Sequence, residues 1–357
     1  MTETQAHLAF SAFVPLGPTR FKLLVEYFGS ALKAWQANRQ KLAQLGMSSK
    51  ILADWAKFKS QFDLAKYQAD LDHHQIKILC LKDTHYPKLL KKTEDPPIIL
   101  YFQGSLAPLK FPALAVVGSR RLTPYGHHMA EKLVSELADY SLTVVSGLMY
   151  GIDEVAHRTA LKSGLPTIGV WAGGLDTLSG SRRGLATTII KKGGLIISEY
   201  PLGFLPSLVT FPIRNRIVSG LSVATLVVEA AHRSGSLITA SHAARQGREV
   251  MAVPGPANSQ TSQGTNGLIQ KGAKLVQDTP DILEELNLKP KPPSQTVPPT
   301  FNKTTTQVLE LIAPQPLHIN EVVRHSHLPT AEVSGILTHL ELSGKIKHLG
   351  SGIYSLA

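Results

Sequence analysis

Six short apolar, β-rich runs recur between residues 114 and 253, with helix-forming segments between most of them. The runs are Leu114–Val117, Leu142–Val145, Thr167–Trp171, Leu195–Ile197, Ala224–Val228 and Glu249–Val253. Segments such as Gly126–Tyr140 and Ile152–Ser163 have the length and pattern of the intervening helices. Most of the runs end in a loop bearing Gly, Ser or Pro. This alternation predicts an α/β fold, an open parallel sheet with helices on both faces. Ligands of such sheets bind beyond the C-terminal strand ends.

The flanks read differently. In residues 1–75 apolar residues recur at helical spacing, through Phe21, Leu24, Val25 and Phe28 and again through Ile51, Leu52, Trp55 and Phe58. The turn Leu16-Gly17-Pro18-Thr19-Arg20 resembles a helix-hairpin-helix or SAM-like hairpin. A plain helix–helix turn is the alternative, and the absence of a second basic hairpin favours it. Residues 76–286 carry the sheet. Residues 287–303 hold Pro290, Pro292, Pro293, Pro298 and Pro299, the composition of a stiff linker. Within 304–357, Thr304–Ala313, Ile319–Ser326 and Thr330–Ser343 read as helices, and Lys345–Leu349 and Ile353–Leu356 as strands around Gly350-Ser351-Gly352. That order is a winged helix.

Charge narrows the partner. The net charge is +11, of which residues 1–75 contribute +3, 76–286 +6, 287–299 +2 and 300–357 nothing. A polyanion is favoured, and its site is expected on the middle segment. Cys80 is the only cysteine, which excludes an intrachain disulfide and a multi-cysteine zinc site. Residues Met1 to Phe10 show no signal-peptide pattern, and no apolar window has transmembrane length, so a cytoplasmic protein without a membrane partner is expected.

Two arginine-bearing junctions stand out. Gly118-Ser119-Arg120 follows an apolar run and precedes a helix, and Phe211-Pro212-Ile213-Arg214-Asn215-Arg216 lies about ninety residues on. Strand-to-helix junctions offer free N–H groups and the positive end of a helix dipole, and arginine grips phosphate in two-pronged fashion. Two such places on one sheet suit a run of phosphates better than a mononucleotide. The Gly-x-Gly-x-x-Gly fingerprint and the Walker A sequence are both missing, which argues against NAD and ATP as cofactors. Ser146-Gly147-Leu148 ends another strand and would line the same crevice. Ser234-Gly235-Ser236 is a further anion-competent helix start, and Lys271 adds charge late in the segment. Asp153 and His157 share a helix face, a spacing that also fits a metal; capping by Asp153 and packing of His157 is the stronger reading. Aromatic residues make up only 6% of the chain. Tyr125 and Phe211 are the best placed to stack on a base.

These residues together resemble the DNA processing protein A family (DprA, also called Smf). The resemblance runs from Val116-Val117-Gly118-Ser119-Arg120 through Val145-Ser146-Gly147-Leu148, Gly151-Ile152-Asp153 and Gly174-Leu175-Asp176. It continues through Ser198-Glu199-Tyr200-Pro201, Phe211 to Arg216, Val227-Val228-Glu229-Ala230 and Ser234-Gly235-Ser236-Leu237 to Ala252-Val253-Pro254-Gly255. The ordered set spans roughly 110–286 and is specific where no single tripeptide is. It implies an extended Rossmann-like domain that binds single-stranded DNA without catalysis, protects incoming DNA in natural transformation, helps load the RecA recombinase and dimerises. By position it places Gly118, Ser119, Arg120, Arg214, Asn215 and Arg216 in a DNA pocket. With the residues read directly, the candidate DNA-binding set is Gly118, Ser119, Arg120, Ser146, Gly147, Arg182, Arg183, Phe211, Arg214, Asn215, Arg216 and Lys271.

The family pattern is not followed throughout. Tyr150 stands where the family usually has Arg. Ser179-Gly180 and Arg183 stand where it has a Tyr-Pro pair and an Asn. Arg182 and Arg183 could restore phosphate contacts by another route. Two other functions compete. A nucleotide-hydrolysing Rossmann enzyme would need a carboxylate that Ser234–Ala240 lacks. A transcription regulator would use the winged helix, but residues 300–357 carry four basic residues against four Glu, with none basic in Thr330–Ser343. Its five histidines, His318, His325, His327, His339 and His348, would make it more cationic in mild acid.

Overall fold

The computed structural model describes residues 1–288, 290, 303–342 and 345–356. Contacts divide the chain into two compact units, Met1–Pro290 and Lys291–Ala357.

The first unit is built on a sheet of nine strands. They are β1 (Lys77–Cys80), β2 (Ile99–Gly104), β3 (Ala113–Val117), β4 (Thr143–Ser146), β5 (Thr167–Val170), β6 (Leu195–Ser198), β7 (Ala224–Val227), β8 (Glu249–Ala252) and β9 (Lys274–Leu275). Their order is β1-β2-β6-β5-β4-β3-β7-β8-β9. All neighbours from β6 to β9 are parallel, while β1 pairs antiparallel with β2 and β2 with β6. The chain builds outward from β3 to β6, then returns to lay β7, β8 and β9 on the other side of β3. The strand order therefore reverses between β3 and β7, and loops leaving these two strands diverge to open a crevice.

The six runs of the sequence became β3 to β8 because each is covered on both sides. In β3, Leu114 and Val116 face one layer, with Met129, Leu133 and Ile152. Ala113, Ala115 and Val117 face the other, with Ile217, Val218 and Ala240. Strands β1, β2 and β9 were not anticipated. β1 and β2 owe their place to antiparallel pairing at an edge, and β9 is too short at two residues to show a period.

Six helices precede β1, and two of them, Gly17–Phe28 and Ser49–Gln61, carry the periodic residues. Phe10 stacks flat on Trp55, with ring centroids 4.9 Å apart, and Trp35 meets both edge-on. This aromatic core is continuous with Ile99 and Tyr101 of β2 and with Trp171 beyond β5. The hydroxyls of Ser11 and Tyr67 meet that of Tyr101 at 2.6 and 3.2 Å. The helical layer is thus fastened to the sheet edge by shared apolar surface. The Leu16–Arg20 turn passes from a short 3-10 segment directly into Gly17–Phe28, with Gly17 at φ 66°. Among the described residues no single helix is long and apolar enough to cross a membrane.

The second unit has helices Lys303–Ile312, Ile319–Ser326 and Thr330–Leu342. They pack Val308, Val322, Val333, Leu337 and Leu340 against Ile346. Strands β10 (Leu317–His318), β11 (Ile346–Gly350) and β12 (Ile353–Leu356) form an antiparallel sheet in the order β10-β12-β11. This is a winged helix, with one more strand than the sequence announced. Of the linker segment 287–303, all but residues 287, 288, 290 and 303 lie outside the described residues, as does Ser343.

Candidate nucleic-acid interface

The crevice between the ends of β3 and β7 holds a cleft of about 630 Å³. Its walls come from the loop after β3, the loop after β4, the helix Thr210–Gly220 and the start of the helix Gly235–Arg245. Seven of the twelve candidates meet there: Gly118, Ser119, Arg120, Gly147, Phe211, Arg214 and Asn215.

The loop after β3 is shaped by its own hydrogen bonds. Ser119 Oγ donates to the Arg121 carbonyl at 2.8 Å and accepts from the Arg121 N–H at 3.1 Å. Its hydroxyl hydrogen is therefore taken up by the turn, where a ligand contact had been expected. Gly118 serves packing: a Cβ there would lie 2.5 Å from Ile152 Cγ1. The next helix, Pro124–Glu136, is capped by Thr123. Thr123 in turn is held by both oxygens of the buried Glu229, which follows β7. That clamp ties the β3 loop to the β7 loop, so the two walls are fixed relative to each other.

The floor holds a buried arginine and a buried aspartate side by side. Arg214 is 2% exposed, donates to the Val170 carbonyl and lies beside Asp153. Burial lowers the Arg214 guanidinium to about 10, against the pull of Asp153, and it stays protonated at neutral pH. Burial also pushes the Asp153 carboxyl above its ordinary range, opposed by Arg214 and by hydrogen bonds. Asp153 Oδ2 accepts from the N–H groups of Gly147 and Met149 at 3.2 and 3.4 Å. Gly147 leaves room for the guanidinium, since a Cβ there would lie 2.2 Å from Arg214 Nη1 and force it to shift. Below, His157 Nδ1 is 2.8 Å from the Thr167 hydroxyl, which donates to the Val144 carbonyl. Burial and the Arg214 charge lower His157 to about 3, so it is neutral. Among the described residues no cluster of three or more His, Cys, Asp or Glu could hold a metal.

The rim is cationic. Arg120, Arg121 and Arg233 line the cleft and are exposed. Among the described residues none of them has a carboxylate within salt-bridge distance. Asp153 is the one acid lining the cleft, and it faces Arg214. Arg120 lies over the Phe211 ring at 5.5 Å. Asn215 Nδ2 donates to the Gly235 carbonyl at 3.3 Å, and Ser234 Oγ accepts from the Ser236 N–H, so the far wall is a capped helix start. Exposed guanidinium groups along the rim can take successive phosphates, and Phe211 offers a ring face beside them. Arg121, Arg233, Gln260 and Thr261 were missed as cleft residues. Arg121 follows Arg120 directly, whereas Arg233 and Gln260 reach the cleft only because β7 returns beside β3 and β8 pairs with β7.

Five candidates lie elsewhere. Arg216 is corrected outright: it is 5% exposed, with Nε 3.1 Å from Asp95 Oδ2 and Nη2 hydrogen-bonded to Glu199. It faces away from Arg214 across the same helix, and its charge is neutralised internally. Ser146 is also corrected, because it is fully buried and donates to the Val116 carbonyl at 2.7 Å, bridging β4 to β3. Arg182 and Arg183 open the helix Gly180–Lys191 outside the cleft, and Arg182 lies over Tyr150 at 4.5 Å. Lys271 is exposed at the C-terminal end of the helix Gln263–Gln270 and does not line the cleft. Tyr125 lies outside the cleft as well, its hydroxyl donating to the Pro254 carbonyl at 2.6 Å.

Comparison with known proteins agrees with this architecture. Residues 77–287 match the family model for the DNA recombination-mediator protein A, and residues 289–352 that for the DprA winged helix domain. Protein Smf of Escherichia coli K12 is 39% identical over 284 residues, covering 76% of this chain and 75% of that protein. DNA processing protein DprA of Streptococcus pneumoniae R6 is 43% identical over 203 residues, covering 57% and 72%. The crystal structure of Streptococcus pneumoniae DprA superposes with a TM-score of 0.70 at 33% identity, covering 80% of this chain and 98% of that one. A Helicobacter pylori DprA structure, described for its single-stranded DNA binding mode, gives a TM-score of 0.54 at 32% identity over 60% of this chain and 96% of that one. The chain is a member of the DNA recombination-mediator protein A family, DprA or Smf.

Proposed function

We propose that this protein binds single-stranded DNA in the cleft between β3 and β7, protects incoming strands and helps load a RecA-type recombinase during recombination and natural transformation. The observation that carries this reading is a rim of three exposed arginines that, among the described residues, have no carboxylate within salt-bridge distance, set over a floor whose one lining acid is buried near Arg214 and accepts backbone N–H groups. A single strand fits better than a duplex because Phe211 offers a ring face beside the cations, which only an unstacked base can use. The working set is Arg120, Arg121, Arg233, Asn215 and Phe211, with Gly118, Gly147 and Arg214 shaping the cleft. The role is binding without catalysis. The cytoplasm is the proposed compartment, and a homodimer through the sheet-bearing unit the proposed assembly. The winged helix, with no net charge, is assigned to protein contact or autoregulation. Fluorescence anisotropy with single- and double-stranded oligonucleotides tests the central claim. Preferential single-strand binding that weakens with salt and with Arg120→Ala supports it; equal or absent binding rejects it. A RecA strand-exchange assay on protein-coated single strands tests the loading step.

A further inference from the structure

Guanidinium and ring contacts run without a break from the cleft to an exposed tyrosine beyond it. Arg120 lies over Phe211 at 5.5 Å, Phe211 meets Trp171 edge-on at 6.1 Å, and Arg182 lies 5.8 Å from Trp171 and 4.5 Å from Tyr150. Trp171 is buried, whereas Tyr150 is 49% exposed. Arg182 covers the Tyr150 ring from one side, and among the described residues no carboxylate pairs with Arg182.

The tyrosine is held in place by its backbone. Leu148, two residues before it, is buried at φ 54°, a left-handed conformation that a branched side chain adopts only when the surroundings impose it. Gly151, the next residue, has φ 83°, and a Cβ there would lie 2.1 Å from the Ser119 carbonyl oxygen and 2.8 Å from Arg120 Cα. The loop bearing Tyr150 is thus wedged against the loop bearing Arg120. Ser181 Oγ also donates to the Tyr150 hydroxyl at 3.4 Å. A ring fixed in this way loses little freedom when something stacks on it.

We infer that Tyr150 and Arg182 form a nucleotide subsite that continues the strand path past the cleft, with the base on the open face of Tyr150 and a phosphate on the guanidinium of Arg182. The inference rests on the proposal that the cleft holds single-stranded DNA. Stacking uses the π-face common to all bases, so the subsite adds affinity with little sequence preference. Arg182 supplies the charge and also fixes the ring from behind.

The test compares the full-length protein on a single-stranded oligonucleotide and on an abasic strand of the same length at one salt concentration. Tyr150→Ala is expected to weaken binding of the base-bearing strand about tenfold and to leave the abasic strand unchanged. Tyr150→Phe should keep wild-type binding. Arg182→Ala should weaken both probes and reduce the salt slope by about 0.7. If Tyr150→Ala has no effect, or weakens both probes equally, the subsite is wrong. Arg120→Ala separates the two claims. If it weakens binding while Tyr150→Ala does not, the cleft stands and the subsite falls. If the wild-type protein binds neither probe, both fall together.

Discussion

Arg120 and Arg216 come from the two arginine-bearing junctions, yet the fold gives them opposite surroundings. Arg120 stands at the rim of the cleft, exposed, over an aromatic ring and, among the described residues, without an acid partner. Arg216 is buried in a junction between Asp95 and Glu199, which with it line a separate cavity. The helix Thr210–Gly220 explains the division, since it shows Arg214 and Asn215 to the cleft and Arg216 to the junction. An exposed, unpaired guanidinium can take a phosphate. A buried one with two carboxylates holds the helix in place, and exchanging its partners for a phosphate would strand two acids.

The sharpest way to break this contrast is at the junction. Glu199→Ala should cost about 3–5 kcal/mol of stability, because it leaves Arg216 buried with half its counter-charge. A denaturant titration checks this, and an unchanged midpoint would mean that the junction does not hold the helix. Burial raises the Glu199 carboxyl, with the Arg216 charge and hydrogen bond pulling the other way.

Acid should expose the floor of the cleft next. His157 titrates at about 3 in the fold against 6.5 as the ordinary value. Between these limits the unfolded chain binds a proton that the folded chain does not. The His157 contribution is therefore complete above pH 6.5 and is lost as pH falls toward 3, at up to about 1.4 kcal/mol per pH unit. Asp153, raised by burial, works in the opposite sense and favours the fold in acid. Stability measured against pH in the wild type and in His157→Gln separates them: the variant should show a flatter fall, and an identical profile would remove His157 from the account.

At the rim, Arg120→Ala should leave stability nearly unchanged and reduce single-strand affinity about tenfold, or ~1.4 kcal/mol, with a salt slope smaller by about 0.7. Arg216→Lys, by contrast, should leave the salt slope unchanged. If the two variants gave the same slope change, the contrast between rim and junction would fail. The smallest effect is expected from ending the chain after Pro290. The winged-helix segment has no net charge, so single-strand affinity of the truncated protein in anisotropy titrations should stay within about twofold of wild type. A larger loss would assign the second unit a share of the strand.

Much of the fold was legible because buried parallel strands read as apolar runs whatever lies beside them. β3 to β8 fall on the six runs to within one or two residues at their ends. The antiparallel edge β1-β2 was not, since its place depends on partners far away in the chain. The site divided in the same manner. Gly118, Arg120 and Asn215 were legible as a strand-to-helix junction and an arginine–amide motif. Arg233 was not, because nothing local marks the end of β7 as the neighbour of β3. Ser146 and Arg216 were misplaced for a related reason. A hydroxyl and a guanidinium look alike in sequence whether they meet a ligand, the Val116 carbonyl or Glu199.

By itself the sequence determined the six central strands, the family and the segment of excess positive charge, because hydrophobic pattern, glycine placement and net charge are properties of the chain. Only the tertiary structure decided which arginines are free. It returns β7 beside β3, which opens the cleft and lines it with Arg233. It packs Asp95 and Glu199 around Arg216, and it wedges Gly151 against the Arg120 loop so that Tyr150 stands in solvent. These outcomes depend on strand pairing, close packing and, at Arg216, the distance between opposite charges. All are set by residues far apart in the chain, so no local pattern can encode them.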